Sequence, residues 1–125
     1  MDFKTDKPIF RQTVDLFSIR ILSGLWVEGQ RIPSVRELSV ELMVNTRTVM
    51  SALEELEKGG IISSRRGMGY FLEAGAADKE RRRRIEEFKN IKLRELFTEM
   101  DALGISIDEI VESYKHSLNK TITNP

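Results

Sequence analysis

Two residues, Met43 and Val44, are all that separate the apolar stripe of one short helix from the capping residue of the next. Ser34, followed three residues later by Glu37, reads as a capping box in which each side chain answers an unpaired backbone N–H. Val35, Leu38 and Leu42 then form a buried stripe. Asn45 is a good N-cap for the following helix, whose core face would be Val49, Ala52, Leu53 and Leu56. Helices joined so tightly must cross steeply, as in a helix-turn-helix.

The flanking sequence completes a small domain around that pair. Phe10, Val14, Phe17 and Ile21 fall on one face of an earlier helix, with Pro8 in its first turn and Gly24 near its end. Leu25 and Trp26 follow as apolar loop residues, and VEGQRIPS reads as a polar loop. Downstream, Gly59-Gly60 closes the third helix, because glycine tolerates the left-handed closing conformation. Ile61 to Ser64 and Gly69 to Leu72 are short β-prone runs around Arg65-Arg66-Gly67-Met68, the pattern of a hairpin. The expected fold is therefore mainly α with a small β-hairpin: a winged helix-turn-helix over residues 1–75, then a C-terminal extension over residues 76–125.

In that extension, Ala74 to Asp78 marks a composition break and reads as a linker. A long helix is expected from Lys79 to Leu103, with Ile85, Phe88, Leu93, Leu96, Met100 and Leu103 in a near-heptad stripe. Gly104 breaks it. Ser106 and Glu109 form a second capping box, and Ile107, Ile110, Val111, Tyr114 and Leu118 stripe a last helix ahead of a frayed TITNP tail. Two helices this short do not bury their stripes against each other well enough to stand alone. A second copy of the chain is the cheapest covering surface, which makes Leu93, Leu96, Met100, Leu103, Ile107, Ile110, Val111 and Tyr114 candidate dimerisation residues.

Composition excludes several classes. The absence of cysteine removes disulfide scaffolds, thiolate metal sites and cysteine nucleophiles, and suits a reducing cytoplasm. No apolar run is long enough to span a membrane, and MDFKTDKPIF lacks the apolar segment of a secretory leader. The single histidine, His116, has no metal-spaced partner and reads as a surface or interface residue. Glu54, Glu55 and Glu57 read as a solvated helix face, and Gly67-Met68-Gly69 lies in a hairpin rather than a strand-to-helix phosphate cradle. An enzyme is not expected, nor is a cofactor or metal.

Double-stranded DNA accounts for more of the pattern. In a helix-turn-helix the second helix enters the major groove through its N-terminal residues, which here are Asn45, Thr46, Arg47 and Thr48. Arginine pairs with guanine, asparagine with adenine, and threonine offers a hydroxyl and a methyl. Asn45 also serves as a plain cap, and Thr48 as support for the helix start. Arg36 lies in the first turn of the preceding helix, facing either phosphate or its neighbours Glu37 and Glu41. Arg65, Arg66 and Gly67 form the hairpin tip, within reach of phosphate or the minor groove. Arg81 to Arg84 read as a solvated helix face, where i,i+4 pairing of Arg82 to Glu86 and Arg83 to Glu87 is available in the weaker orientation, with auxiliary phosphate contact as the alternative. Net charge is zero, with 20 basic and 20 acidic residues, which leaves room for a winged helix that binds protein and has no sequence-specific DNA binding. The arginines gathered at helix start and wing tip argue against that alternative.

Together KPIFRQ, IPSVRELS, VNTRTVMSALEELEKGGII and RRGMGYFL resemble the GntR family of bacterial transcriptional regulators, over roughly Pro8 to Leu72. The short C-terminal helices resemble the YtrA-type subfamily. The resemblance implies a homodimeric repressor that binds a palindromic operator and responds to a signal or an unidentified small-molecule effector. It places operator contacts on Arg36, on Asn45 to Thr48, and on Gly67 with Arg66 adjoining. Where the family has Leu-Pro-Ser, this chain has Ile32-Pro33-Ser34; where the subfamily often has Asn-Pro-x-Thr, it has Asn45-Thr46-Arg47-Thr48; and Tyr70 stands in the place of a wing threonine.

Overall fold

The computed structural model describes residues 7–123. Helix α1 spans Ile9–Leu22, α2 Val35–Leu42 and α3 Thr46–Lys58; strands β1 (Ile62–Arg65) and β2 (Gly69–Leu72) follow. Then come α4 (Ala76–Glu87), a π-helical turn at Phe88–Lys92, α5 (Leu93–Leu103) and α6 (Ile107–Thr123). The contacts divide the chain into two compact units, one ending at Arg84 and the other beginning at Ile85.

In the first unit α3 packs on α1, α2 and β1. Val14, Phe17 and Ile21 of α1, Leu38 and Leu42 of α2, and Val49, Ala52, Leu53 and Leu56 of α3 are all buried, as their helical spacing requires. Trp26 closes one end of this core, its ring 5.1 Å from that of Phe17. Both capping residues act as their positions predict. Ser34 Oγ accepts from Glu37 N–H at 3.1 Å while Glu37 Oε1 accepts from Ser34 N–H at 3.2 Å. Asn45 Oδ1 accepts from Arg47 N–H at 2.8 Å. The α2–α3 turn is made by Met43, which adopts a left-handed φ of 55°. Ser39 Oγ donates to the carbonyl of Val44 and fastens the same turn from inside.

The antiparallel wing pairs Ile62 with Leu72 and Arg65 with Gly69. The VEGQRIPS segment, read as a loop, also joins this sheet. Ile32 N–H donates to Tyr70 O, Leu72 N–H to Gln30 O, and Arg31 forms a bridge with Phe71. The hairpin's outer edge is thus covered, which a two-stranded ribbon needs for stability. Glu57 ties the wing to α3 by accepting from both the N–H and the hydroxyl of Ser64.

Two expectations change in the segment after the wing. Ala74 to Asp78 is not a linker: α4 begins at Ala76, which is buried in the same core as Leu72. Small side chains let the helix start close to the sheet, and Glu28 accepts from Gly75 N–H to hold the turn. The run Arg81 to Arg84 is not simply a solvated face, because Arg83 pairs with the buried carboxylate of Glu80 and Arg84 donates to Ser18 on α1 at 3.0 Å. Arg81 pairs with Asp78, and Arg82 donates to the Asp78 carbonyl.

In the second unit, Gly104 takes a φ of 70° after α5, and Ser106 with Glu109 forms the capping box of α6. Met100 is buried there, whereas Leu96, Phe97, Leu103, Ile107, Val111, Tyr114 and Leu118 are exposed. The expected TITNP tail continues α6 as far as Thr123, and its last two residues lie outside those described.

Candidate nucleic-acid interface

The first turn of α3 is held from below by Val49 and from its end by the Asn45 cap, and its outer side chains are left free of packing. Asn45, Thr46 and Arg47 are exposed, and Thr48 is half-buried. Arg47 has neither an ion pair nor a side-chain hydrogen bond among the described residues. Asn45 spends one oxygen on capping and keeps its amide group outside.

Arg36 shows the same pattern for a reason that lies in its neighbours. Glu37 is occupied by Ser34 and faces Arg31 at 3.7 Å, and Glu41 is taken by Arg20. The Ser34 hydrogen bonds, backbone and side chain, together with the Arg31 charge hold the Glu37 carboxyl below its ordinary value, so it stays ionised and engaged. Arg36 therefore stands exposed and, among the described residues, unpaired in the N-terminal turn of α2, where backbone N–H groups also favour an anion.

At the wing tip the two arginines differ. The Arg65 guanidinium lies 3.9 Å from the centre of the Phe71 ring, so this side chain is anchored on its own sheet. Arg66 has no such partner among the described residues. Gly67 turns with a φ of 73°, and nothing lies within 4 Å of the place a β-carbon would occupy. Open space and a left-handed backbone together let another molecule approach the main chain here.

Arg31 is a cation that the sequence reading passed over. A β-carbon at Gly69 would lie 3.1 Å from Arg31 Nε. Arg31 thus runs along the β2 edge to the tip end of the wing and faces Glu37, and so ties the hairpin to the first turn of α2. Its place directly before Ile32-Pro33-Ser34, in a segment whose composition reads as a polar loop, gives the signal in the sequence. Tyr70 is partly buried beside α3. Its phenol is pushed above the ordinary value by burial first, then by the charges of Glu57 and Glu54.

Of the remaining sequence-level candidates, His116 is exposed on α6. Among the described residues no group of acids or histidines is arranged to hold a metal ion. No helix among them is long and apolar enough to cross a membrane.

A sharply turned helix pair, a capped second helix presenting threonines and an arginine, and a hairpin wing define a winged helix-turn-helix of the DNA-reading kind. The model of the bacterial regulatory proteins of the gntR family matches residues 10–72, and the chain belongs to that family of DNA-binding transcriptional regulators, which are not enzymes. It is 31% identical to the uncharacterized HTH-type transcriptional regulator YhcF of Bacillus subtilis, over 90% of this chain and 92% of that one. It is 29% identical to the HTH-type transcriptional repressor YtrA of the same organism, over 92% and 88%. The YtrA-type likeness thus extends through the C-terminal helices. Among solved structures, a putative GntR-family transcriptional regulator from Bacteroides thetaiotaomicron superposes with a TM-score of 0.78 at 35% identity, over 91% of this chain and 99% of that one. The DNA-binding domain of AraR in complex with operator ORR3 superposes with a TM-score of 0.52 at 26% identity, over 58% and 87%.

Proposed function

We propose that the protein is a bacterial, cytoplasmic repressor that reads a palindromic operator as a homodimer. Arg36, with Asn45, Thr46, Arg47 and Thr48, supplies the major-groove and adjoining phosphate contacts. Arg66 and Gly67, with Arg65 beside them, approach the minor groove, and Arg31 is added to this set. The observation that carries the reading is that Arg36, Arg47 and Arg66 are unpaired among the described residues, although the chain holds as many acids as bases. Leaving arginines free while the neighbouring carboxylates are engaged elsewhere makes a locally positive surface on a neutral protein.

The homodimer is supported by the exposed apolar side chains of α5 and α6. Val111 and Ile107 point to solvent in the single chain, and a two-fold interface would cover them. Exposed Leu96, Leu103 and Tyr114 and half-buried Leu93 and Ile110 complete this surface, while Met100, already buried in its own chain, would support it from behind. Two heads related by such an axis would meet half-sites about one helical turn apart, or a multiple of that. The repressor assignment follows the relative described as a repressor.

A mobility-shift titration with the protein's own promoter DNA, with excess unrelated competitor, tests the reading. Retention of one complex against competitor is expected. Complete competition at every salt concentration would leave a winged helix that binds without reading sequence.

A further inference from the structure

A cleft of about 480 Å³ opens between α1, α3 and α4, wholly within the first unit. We propose that it binds a small monoanionic molecule with an apolar body, a carboxylate by class, whose charge is held by Lys79. The volume lies in the range of small-ligand sites. Its floor is apolar, formed by the buried side chains of Val14, Leu56 and Ile61. Its walls carry two ion pairs, Arg11 with Glu55 at 3.0 Å and Arg83 with Glu80 at 2.7 Å. These pairs neutralise themselves and supply shape rather than net charge. Lys79 is left over, with no ion pair among the described residues.

Lys79 Nζ lies over Gly60, 2.7 Å from where a β-carbon there would stand. It is not needed to close the end of α3. The carbonyls of Glu55, Leu56 and Glu57 already accept from the N–H groups of Gly59, Ile61 and Gly60. The cleft therefore offers one unmatched positive charge over an apolar floor, and a single carboxylate on a hydrocarbon or aromatic body answers both. An occupant would touch the same helix whose first turn carries Thr46 and Arg47, but its binding is measurable without DNA. Failure of this proposal and failure of the operator reading are therefore separate results.

The test is an NMR titration of methyl-labelled full-length protein with benzoate, its neutral analogue benzamide, and inorganic phosphate. Benzoate is expected to shift the Val14, Leu56 and Ile61 methyls saturably. Benzamide is expected to bind about tenfold more weakly, the size of one charge-assisted hydrogen bond. Phosphate, with charge and no apolar body, is expected to leave these methyls unmoved. Lys79→Gln should bring benzoate down to the level of benzamide, and Lys79→Arg should restore most of the difference. Equal binding of benzoate and benzamide, an equal effect of phosphate, or the absence of any saturable shift at these methyls would overturn the proposal. The ligand comparison does so without relying on any variant.

Discussion

Arg83 grips Glu80 as a fork: Nε donates to Oε1 and Nη2 to Oε2, each at 2.7 Å, around a carboxylate with no exposed side-chain surface. A buried acid survives only when its oxygens are satisfied, and here Ser18 supplies a further hydrogen bond while Arg84 donates to Ser18. Burial works to raise the Glu80 pKa. The hydrogen bonds from Arg83 and Ser18 and the charges of Arg83 and Arg84 outweigh it and leave the carboxyl below its ordinary value of 4.5. A conspicuous basic run therefore serves to dock α4 on α1.

The sign of the resulting pH dependence follows from linkage. A carboxyl whose pKa is lower folded than unfolded adds stability above its unfolded value, and loses it as pH falls through the folded value. Glu80→Gln should destabilise the first unit by about 1–3 kcal/mol at neutral pH, with Arg83 left half-satisfied. The gap between the two proteins should close as pH falls below 4.5. Urea unfolding at pH 7 and near pH 3 measures it; a gap that stays constant would show that Glu80 is not ionised in the fold.

Arg47 and Arg36 should fail differently. If Arg47 reads a base, Arg47→Ala costs about 1–3 kcal/mol on the operator and relaxes the choice of sequence. If Arg36 meets phosphate, Arg36→Ala weakens binding on all sequences and lowers the salt slope by about one. Affinities on operator and scrambled DNA at several salt concentrations separate the two roles. The opposite pattern for either residue would reassign it.

Met43 holds a left-handed φ of 55° with its side chain 91% exposed. The strain is not repaid by packing within the chain. Met43→Gly should stabilise the fold by about 0.5–1 kcal/mol, less than the strain relieved because glycine also loosens the unfolded chain. Thermal denaturation reads the result, and a fall in melting temperature would show that the methionine contributes a contact of its own.

The C-terminal surface is tested by charge. Val111→Asp combined with Tyr114→Asp places two carboxylates on exposed apolar positions of α6. Sedimentation should change from a dimer to a monomer, with weaker operator binding because the two heads no longer bind as one. A dimer of unchanged strength would locate the interface elsewhere.

The elements that the sequence by itself determined are those whose decisive interactions span a few residues. The Ser34–Glu37 box, the Asn45 cap, the glycine exit at Gly60 and the hairpin around Gly67 are each written within one turn of chain. Hydrogen bonds over such distances depend on local backbone geometry alone, so residue type and spacing suffice. The stripes of α1 and α3 were equally clear, because a single period of burial governs them.

What tertiary structure decided are the partners that lie far off in sequence. Arg84 meets Ser18 across 66 residues, Arg11 meets Glu55 across 44, and Arg31 bridges to Phe71 along the edge of the two-stranded wing. A charged side chain carries no mark of whether it will be paired, because that depends on which acid the fold brings within a few ångströms. Of the α4 arginines, Arg81 and Arg83 pair locally with Asp78 and Glu80, Arg84 is engaged across the fold by Ser18, and Arg36 and Arg47 are left without an ion pair among the described residues.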